Sequence, residues 1–167
     1  MAVVSVNGNG FTGTLQGSVA IQQPRAEFAQ ATLKTLNSQV SLANGDSIAS
    51  VYHLGWIPSD VMIDMDSNMQ VQANAGLTTV SVGISGSGGQ ATAAGVANCL
   101  VTALNVAAGG KFSMTGNITA ANVQQRAWQL AGLAADPGGY LEVYLTINAA
   151  SSAATVITSG LRYYRNY

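Results

Sequence analysis

The chain has very little charge. Six Lys and Arg and seven Asp and Glu among 167 residues make 8%, against roughly a quarter in an ordinary soluble domain. So few cations leave no basic stripe along which a phosphate backbone would be tracked, and no nucleic-acid partner is expected. A single cysteine, Cys99, excludes an intrachain disulfide and a cysteine-based zinc site. There is one histidine, His53, and there are three prolines, and aromatic residues reach only 7%. No long hydrophobic run exists. The most apolar window, Ala91 to Ala108, is interrupted by Thr92, Asn98, Thr102 and Asn105, too polar and too short for a membrane span. The opening Met1-Ala2-Val3-Val4-Ser5-Val6 has no basic region leading into an apolar run, so no secretory leader is expected. These features describe a chain made in the cytoplasm, with no membrane partner.

What the chain does have is small and neutral. Apolar residues make up 48%, with many Ala and Val among them, and there are nineteen glycines and a formal charge of −1. The length suggests one domain with a real core. A near-neutral surface of small residues favours association over isolation, which points to a protein that sits against other protein.

Alternation with period two recurs along the chain, the mark of half-buried antiparallel strands. From Tyr140 to Asn148, Leu141, Val143, Leu145 and Ile147 alternate with Tyr140, Glu142, Tyr144, Thr146 and Asn148. Thr78 to Ser85 and Lys111 to Thr115 repeat the pattern. Weaker strands are expected over Ala26 to Leu36, with Ala29, Ala31 and Leu33 inward, and over Ile48 to Trp56, with Ile48, Tyr52, Leu54 and Trp56 together. Val61, Ile63 and Met65 follow Pro58, and a last strand runs from about Ala154 to Tyr164 with a bulge near Gly160. Turn signals fall at Asn44-Gly45-Asp46, Pro58-Ser59-Asp60, Gly86 to Gly89, Gly109-Gly110 and Asp136 to Gly139. One short helix is expected within Ala121 to Leu133. The fold class is therefore all-β: an antiparallel, jelly-roll-like sandwich over residues 24–167, preceded by an extended Gly/Asn/Gln-rich arm over residues 1–23.

Chemistry finds little to stand on. Asp64 and Asp66, near Asp60, could hold a hard cation, but they lack glycine-containing calcium-loop spacing, and a solvated strand face is the commoner meaning. His53 and Cys99 could form a nucleophile and base, yet Cys99 lies in the apolar run Val96 to Val101, where a buried structural thiol is expected. Gly83 to Gly88 lacks the Lys and following helix of a phosphate loop. Glu27 and Glu142 are the only glutamates, and nothing in the sequence pairs them for glycoside hydrolysis. No enzyme, no cofactor and no metal are expected.

The order of segments carries more information. Asn44-Gly45-Asp46-Ser47-Ile48 leads to Tyr52-His53-Leu54-Gly55-Trp56-Ile57-Pro58-Ser59-Asp60-Val61-Met62-Ile63. Ala75 to Ile84, Trp128 to Leu133, Tyr140 to Val143 and the closing Arg162-Tyr163-Tyr164 follow. Over roughly Asp46 to Tyr164 this series resembles the small β-sandwich cement or head-decoration proteins of tailed bacteriophages. The resemblance implies a structural protein on the outside of the capsid, clamping neighbouring major capsid subunits. It also implies association with the major capsid protein and with itself, as dimer or trimer. Trp56 departs from the aliphatic residue more usual there. Contacts are expected from the arm, through Val3, Val4, Val6, Phe11 and Leu15, by strand addition. The basic-aromatic tail, through Arg162, Tyr163, Tyr164, Arg165 and Tyr167, is expected to add hot-spot residue types. The rivals are another virion part (head fibre base, connector or tail protein) and a carbohydrate-binding sandwich module with Trp56, Tyr52 and Tyr140 as its stacking platform.

Overall fold

The computed structural model describes residues 4–6, 12–14, 33–73, 77–85 and 97–165. Two units are distinct: Leu33–Arg165, and Met1–Thr32 with Asn166–Tyr167. In the smaller unit, β1 (Val4–Val6) pairs antiparallel with β2 (Thr12–Thr14). The rest of the expected arm, including Val3, Phe11 and Leu15, lies outside the described residues, as does the expected boundary at residue 23.

The larger unit is a sandwich of two antiparallel sheets. Its strands are β3 (Lys34–Leu42), β4 (Val51–Pro58), β5 (Met62–Ile63), β6 (Asn68–Val71), β7 (Thr79–Ser85), β8 (Ala97–Asn105), β9 (Gly110–Ser113), β10 (Tyr140–Ile147) and β11 (Thr155–Tyr164). One sheet has the order β4-β10-β7-β8; the other has β3-β11-β6-β9, with the short β5 also on β11. Setting β5 aside, the eight strands of this unit fall in the orders 1-8-3-6 and 2-7-4-5, which is the strand order of a jelly roll. The all-β class and the sandwich are thus as expected.

Alternation explains the core. Leu141, Val143, Leu145 and Ile147 of β10 are each 1% exposed or less, and they meet Val80, Val82 and Ile84 of β7, all at 0%. Val40, Leu42, Met69, Val71, Ile157 and Leu161 supply the facing layer. The single helix, α1 (Ala127–Leu130), spans one turn of the expected segment. Its start is held by Arg126 N–H donating to Gln129 Oε1 at 2.9 Å. It docks through Ala127 N–H on Val61 O at 2.7 Å and Trp128 N–H on Ser59 O at 3.1 Å.

Several strands depart from the expected pattern. β3 covers Lys34–Leu42, and Leu33, expected inward, is 43% exposed. Its polar run Asn37-Ser38-Gln39 hides the alternation, because inward Ser38 is satisfied by Ser159, Oγ to Oγ 2.7 Å. In β4 the alternation breaks at a register shift opposite Val143 and Tyr144. Gly55, at φ +146°, sits at this point, and a Cβ there would lie 2.7 Å from Leu36 Cδ1. Tyr52 and Leu54 therefore point inward while Trp56, 47% exposed, points out, and Ile48, 64% exposed, lies before the strand. Met65 is likewise exposed, unlike Val61 and Ile63. No bulge forms at Gly160: β11 keeps continuous register with β3 from Thr155 to Tyr163. β6 and β8 were not expected from the sequence.

The turn before β4 is held by Asp46, whose carboxylate accepts from Ala43 N–H and from the Tyr52 hydroxyl. Burial, then the hydrogen bond to Asp46 and its negative charge, push the Tyr52 phenol up to about 12. Since the folded value lies above the usual value of about 10, this contribution to stability is complete below that pH and is lost as pH rises through about 12. An ultraviolet pH titration should show a late phase for Tyr52, near pH 12. In Asp46→Asn that late phase should move down toward the others, and an unmoved phase would show that Asp46 does not hold it up.

Candidate interaction surface

Two surfaces of the sandwich bring chemistry-bearing side chains together. The first is the outward face of the sheet containing β4 and β10. Even-numbered positions of β10 point there, and the ladder sets Tyr140 opposite Pro58, Glu142 opposite Trp56, Tyr144 opposite His53 and Thr146 opposite Val51. His53 packs edge-on to Trp56, centroids 5.2 Å apart at 70°, and against Tyr144 at 5.2 Å and 54°. Trp56 and Tyr140 stand out at 47% and 67% exposure.

This face is not the wet one that period-two reading predicts. Glu142 is 5% exposed, Tyr144 7%, Thr146 4%, and on β7 Ser81 and Ser85 are buried as well. Ser81 is satisfied, its Oγ accepting from Ala103 N–H at 2.9 Å and from Asn148 Nδ2 at 2.7 Å. Glu142 Oε2 and Thr146 Oγ1 have no hydrogen-bond partner among the described residues. A buried carboxylate oxygen without a donor is uncommon, because removing it from water is costly.

The second surface is the outward side of β11. Arg162, outward on the strand, reaches Asp64 Oδ2 at 3.4 Å and Asp66 Oδ2 at 3.3 Å. Arg165 reaches Asp60 Oδ1 at 2.9 Å. The three aspartates that suggested a cation site are thus engaged with arginines. Among the described residues no group of three or more His, Cys, Asp or Glu lies close enough to hold a metal ion. A shallow groove of about 490 Å³ runs past Asp66, Asn68, Lys111 and Arg162. Another of about 510 Å³ crosses the amides and hydroxyls of Asn37, Gln39, Gln70 and Thr158. Both are open, polar sheet surface.

The expected contact residues are divided by this geometry. Arg162 and Tyr164 lie on the outward side of β11, whereas Tyr163, expected with them, alternates inward and packs against the core. Arg165 follows the strand, and Tyr167 lies outside the described residues, as do the side chains of Val4 and Val6. Tyr52 is withdrawn from the expected aromatic platform and bonded to Asp46. His53 and Tyr144 stand beside Trp56 and Tyr140 in its place. Cys99 and His53 are not a catalytic pair. Cys99 lies on β8, across two intervening strands from β4, and burial pushes its thiol up to about 11, which keeps it protonated and unreactive at neutral pH.

Two solved structures with chains of similar shape are phage capsids. The fold is similar to that of a chain in the capsid of Ralstonia phage GP4, with a TM-score of 0.60 at 19% identity over 91% of this chain and 94% of that one. It is also similar to a chain of the cyanophage Pam1 capsid asymmetric unit, with a TM-score of 0.52 at 16% identity over 91% and 97%. At such identities the likeness establishes a shared fold. No protein-family model matches the chain, and no curated protein does.

Proposed function

We propose that this chain is a structural protein of a tailed-bacteriophage virion that binds the outside of the capsid and clamps neighbouring major capsid subunits. The observation that carries the reading is the likeness of its jelly roll, over nearly its whole length, to chains from two phage capsids. Fold alone does not assign function, so the surface chemistry matters too. The acidic side chains near Arg162 and Arg165 are engaged in ion pairs, and low overall charge suits a chain whose working contacts are with protein. A clamp of this kind gains stability from its site, because binding selects the folded form by mass action.

The test uses capsids purified from particles that lack this chain. Added protein should co-sediment with them and saturate at a fixed ratio to the major capsid protein, and the decorated shells should release their contents at a higher temperature than bare ones. Protein that stays in the supernatant at every concentration would remove this reading. Binding without any gain in heat resistance would remove the clamping role and leave only attachment.

A further inference from the structure

We propose that the edge of β4, with Trp56, Tyr140 and Glu142 on the outward face beside it, receives an extended segment of a capsid subunit, and that an arginine on this segment stacks on Trp56 and meets Glu142. The inference rests on the capsid reading above and adds the site and the chemistry of the partner.

Three independent features meet here. Trp56 and Tyr140 are two of five large hydrophobic residues that are exposed among the described residues, at 47% and 67%, and they share one face, with Glu142 directly opposite Trp56 in the ladder. Aromatic side chains of this kind are the usual anchors of protein interfaces. Glu142 is 95% withdrawn from solvent (5% exposed), yet its Oε2 has no donor among the described residues. A cation supplied by a partner would complete it. The third feature is the strand itself. β4 ends its sheet, with no second neighbour among the described residues, and Val51–Pro58 contains no charged side chain. Edge strands exposed to water are normally blunted by charge, proline or brevity. This one has only its terminal Pro58 and the register shift near Gly55, which leaves Gly55 to Ile57 as the stretch where an added strand would align.

Together these features choose the occupant. A free backbone edge is matched by the backbone of an extended peptide, through strand addition. On the outward face its side chains would stand beside Trp56, and a long one would reach across Trp56 to Glu142 on the next strand in. Among cations, arginine fits best: its planar guanidinium can lie on an indole face and still donate to a carboxylate.

The experiment uses capsids lacking this chain, the full-length protein, and its Trp56→Ala and Glu142→Gln variants, with a photo-crosslinking amino acid at position 56 as a separate probe. Trp56 is exposed on an edge, so Trp56→Ala should keep the wild-type unfolding midpoint. It should weaken capsid binding by about 30-fold or more, as hot-spot truncations do. Glu142→Gln should weaken binding by about tenfold and flatten its dependence on salt. The crosslink should land on an arginine-containing peptide of a capsid subunit. Folded Trp56→Ala that binds like wild type, or a crosslink to another copy of this chain, would overturn the site while the capsid reading stands. Loss of retention on an immobilised host-surface glycan in Trp56→Ala, with capsid binding unchanged, would reassign the platform to sugar. Wild-type protein that fails to bind capsids would remove the capsid reading itself.

Discussion

Replacing Leu145 by Ala should cost the fold about 3 to 4 kcal/mol of unfolding free energy, measured by urea denaturation. Leu145 is 1% exposed at the middle of β10, between Tyr52 of β4 and Val82 of β7. Truncation there removes the transfer free energy of three carbons and leaves a cavity whose walls belong to both sheets. Strands on either side fix those walls, so collapse around the gap is limited. A domain with 5 to 15 kcal/mol of total stability would lose a large part of it. Thr158→Ala, an exposed position of β11 on the polar outward face, is the control and should change stability by less than about 0.5 kcal/mol. A Leu145→Ala cost below about 1.5 kcal/mol would mean that β10 does not lie at the centre of the core.

Gly109→Ala should be nearly as damaging, by about 3 kcal/mol, for a reason that has nothing to do with burial of apolar surface. Gly109 turns the chain into β9 at φ +67°, where a side chain costs about 1 to 2 kcal/mol. An added Cβ would also lie 2.5 Å from both Cα and N of Ala73. Those are backbone atoms just beyond β6, the strand that pairs with β9, so they cannot swing aside as a side chain would. Its neighbour separates the two causes. Gly110, at φ +115°, has nothing within 4 Å of such a Cβ, and Gly110→Ala should carry the backbone penalty alone. Equal costs for the two would show that the approach of Ala73 is not what reserves position 109 for glycine.

Much of this fold is visible in the order of residues. β10 and β7 are read from clean alternation of branched residues with polar ones, and the turns at Gly45, Gly109 and Gly138 are read from glycine beside Asn, Gly and Pro. The strands that are hard to read are hidden for different reasons. Along β3 the inward positions include Ser38 among amides, and hydrogen bonding to Ser159 makes a hydroxyl acceptable where a methyl is expected, whereas β6 is four residues long, with Met69 and Val71 buried beside two amides. β8 is hidden because its pairing with β7 shifts register twice, so no single period runs through its mixed apolar and polar residues. In β4 the irregularity at Gly55 separates Trp56 from Tyr52 and Leu54, which strict alternation places on one face with it, because a slip of one position exchanges the faces of a strand.

The candidate surface was legible only in part. Trp56 and Tyr140 stand out as scarce aromatics, and both are exposed on the same outward face. Tyr52, grouped with them by type, is taken out by its hydrogen bond to Asp46. Glu142 gave no signal at all: an acidic residue in an alternating strand reads as solvated. Its burial depends on what lies over the sheet, which no local pattern records. The tail residues Arg162 and Arg165 read as free basic contacts, but the topology brings Asp60, Asp64 and Asp66 beside them from far along the chain.

The central claim is that this chain is a shell protein, and copy number tests it most directly. Quantitative mass spectrometry of purified virions should give this chain in a simple, reproducible ratio to the major capsid protein, near one or a small fraction of it. A dozen or fewer copies per particle would place it at the neck or tail, and complete absence from the virion would contradict the account.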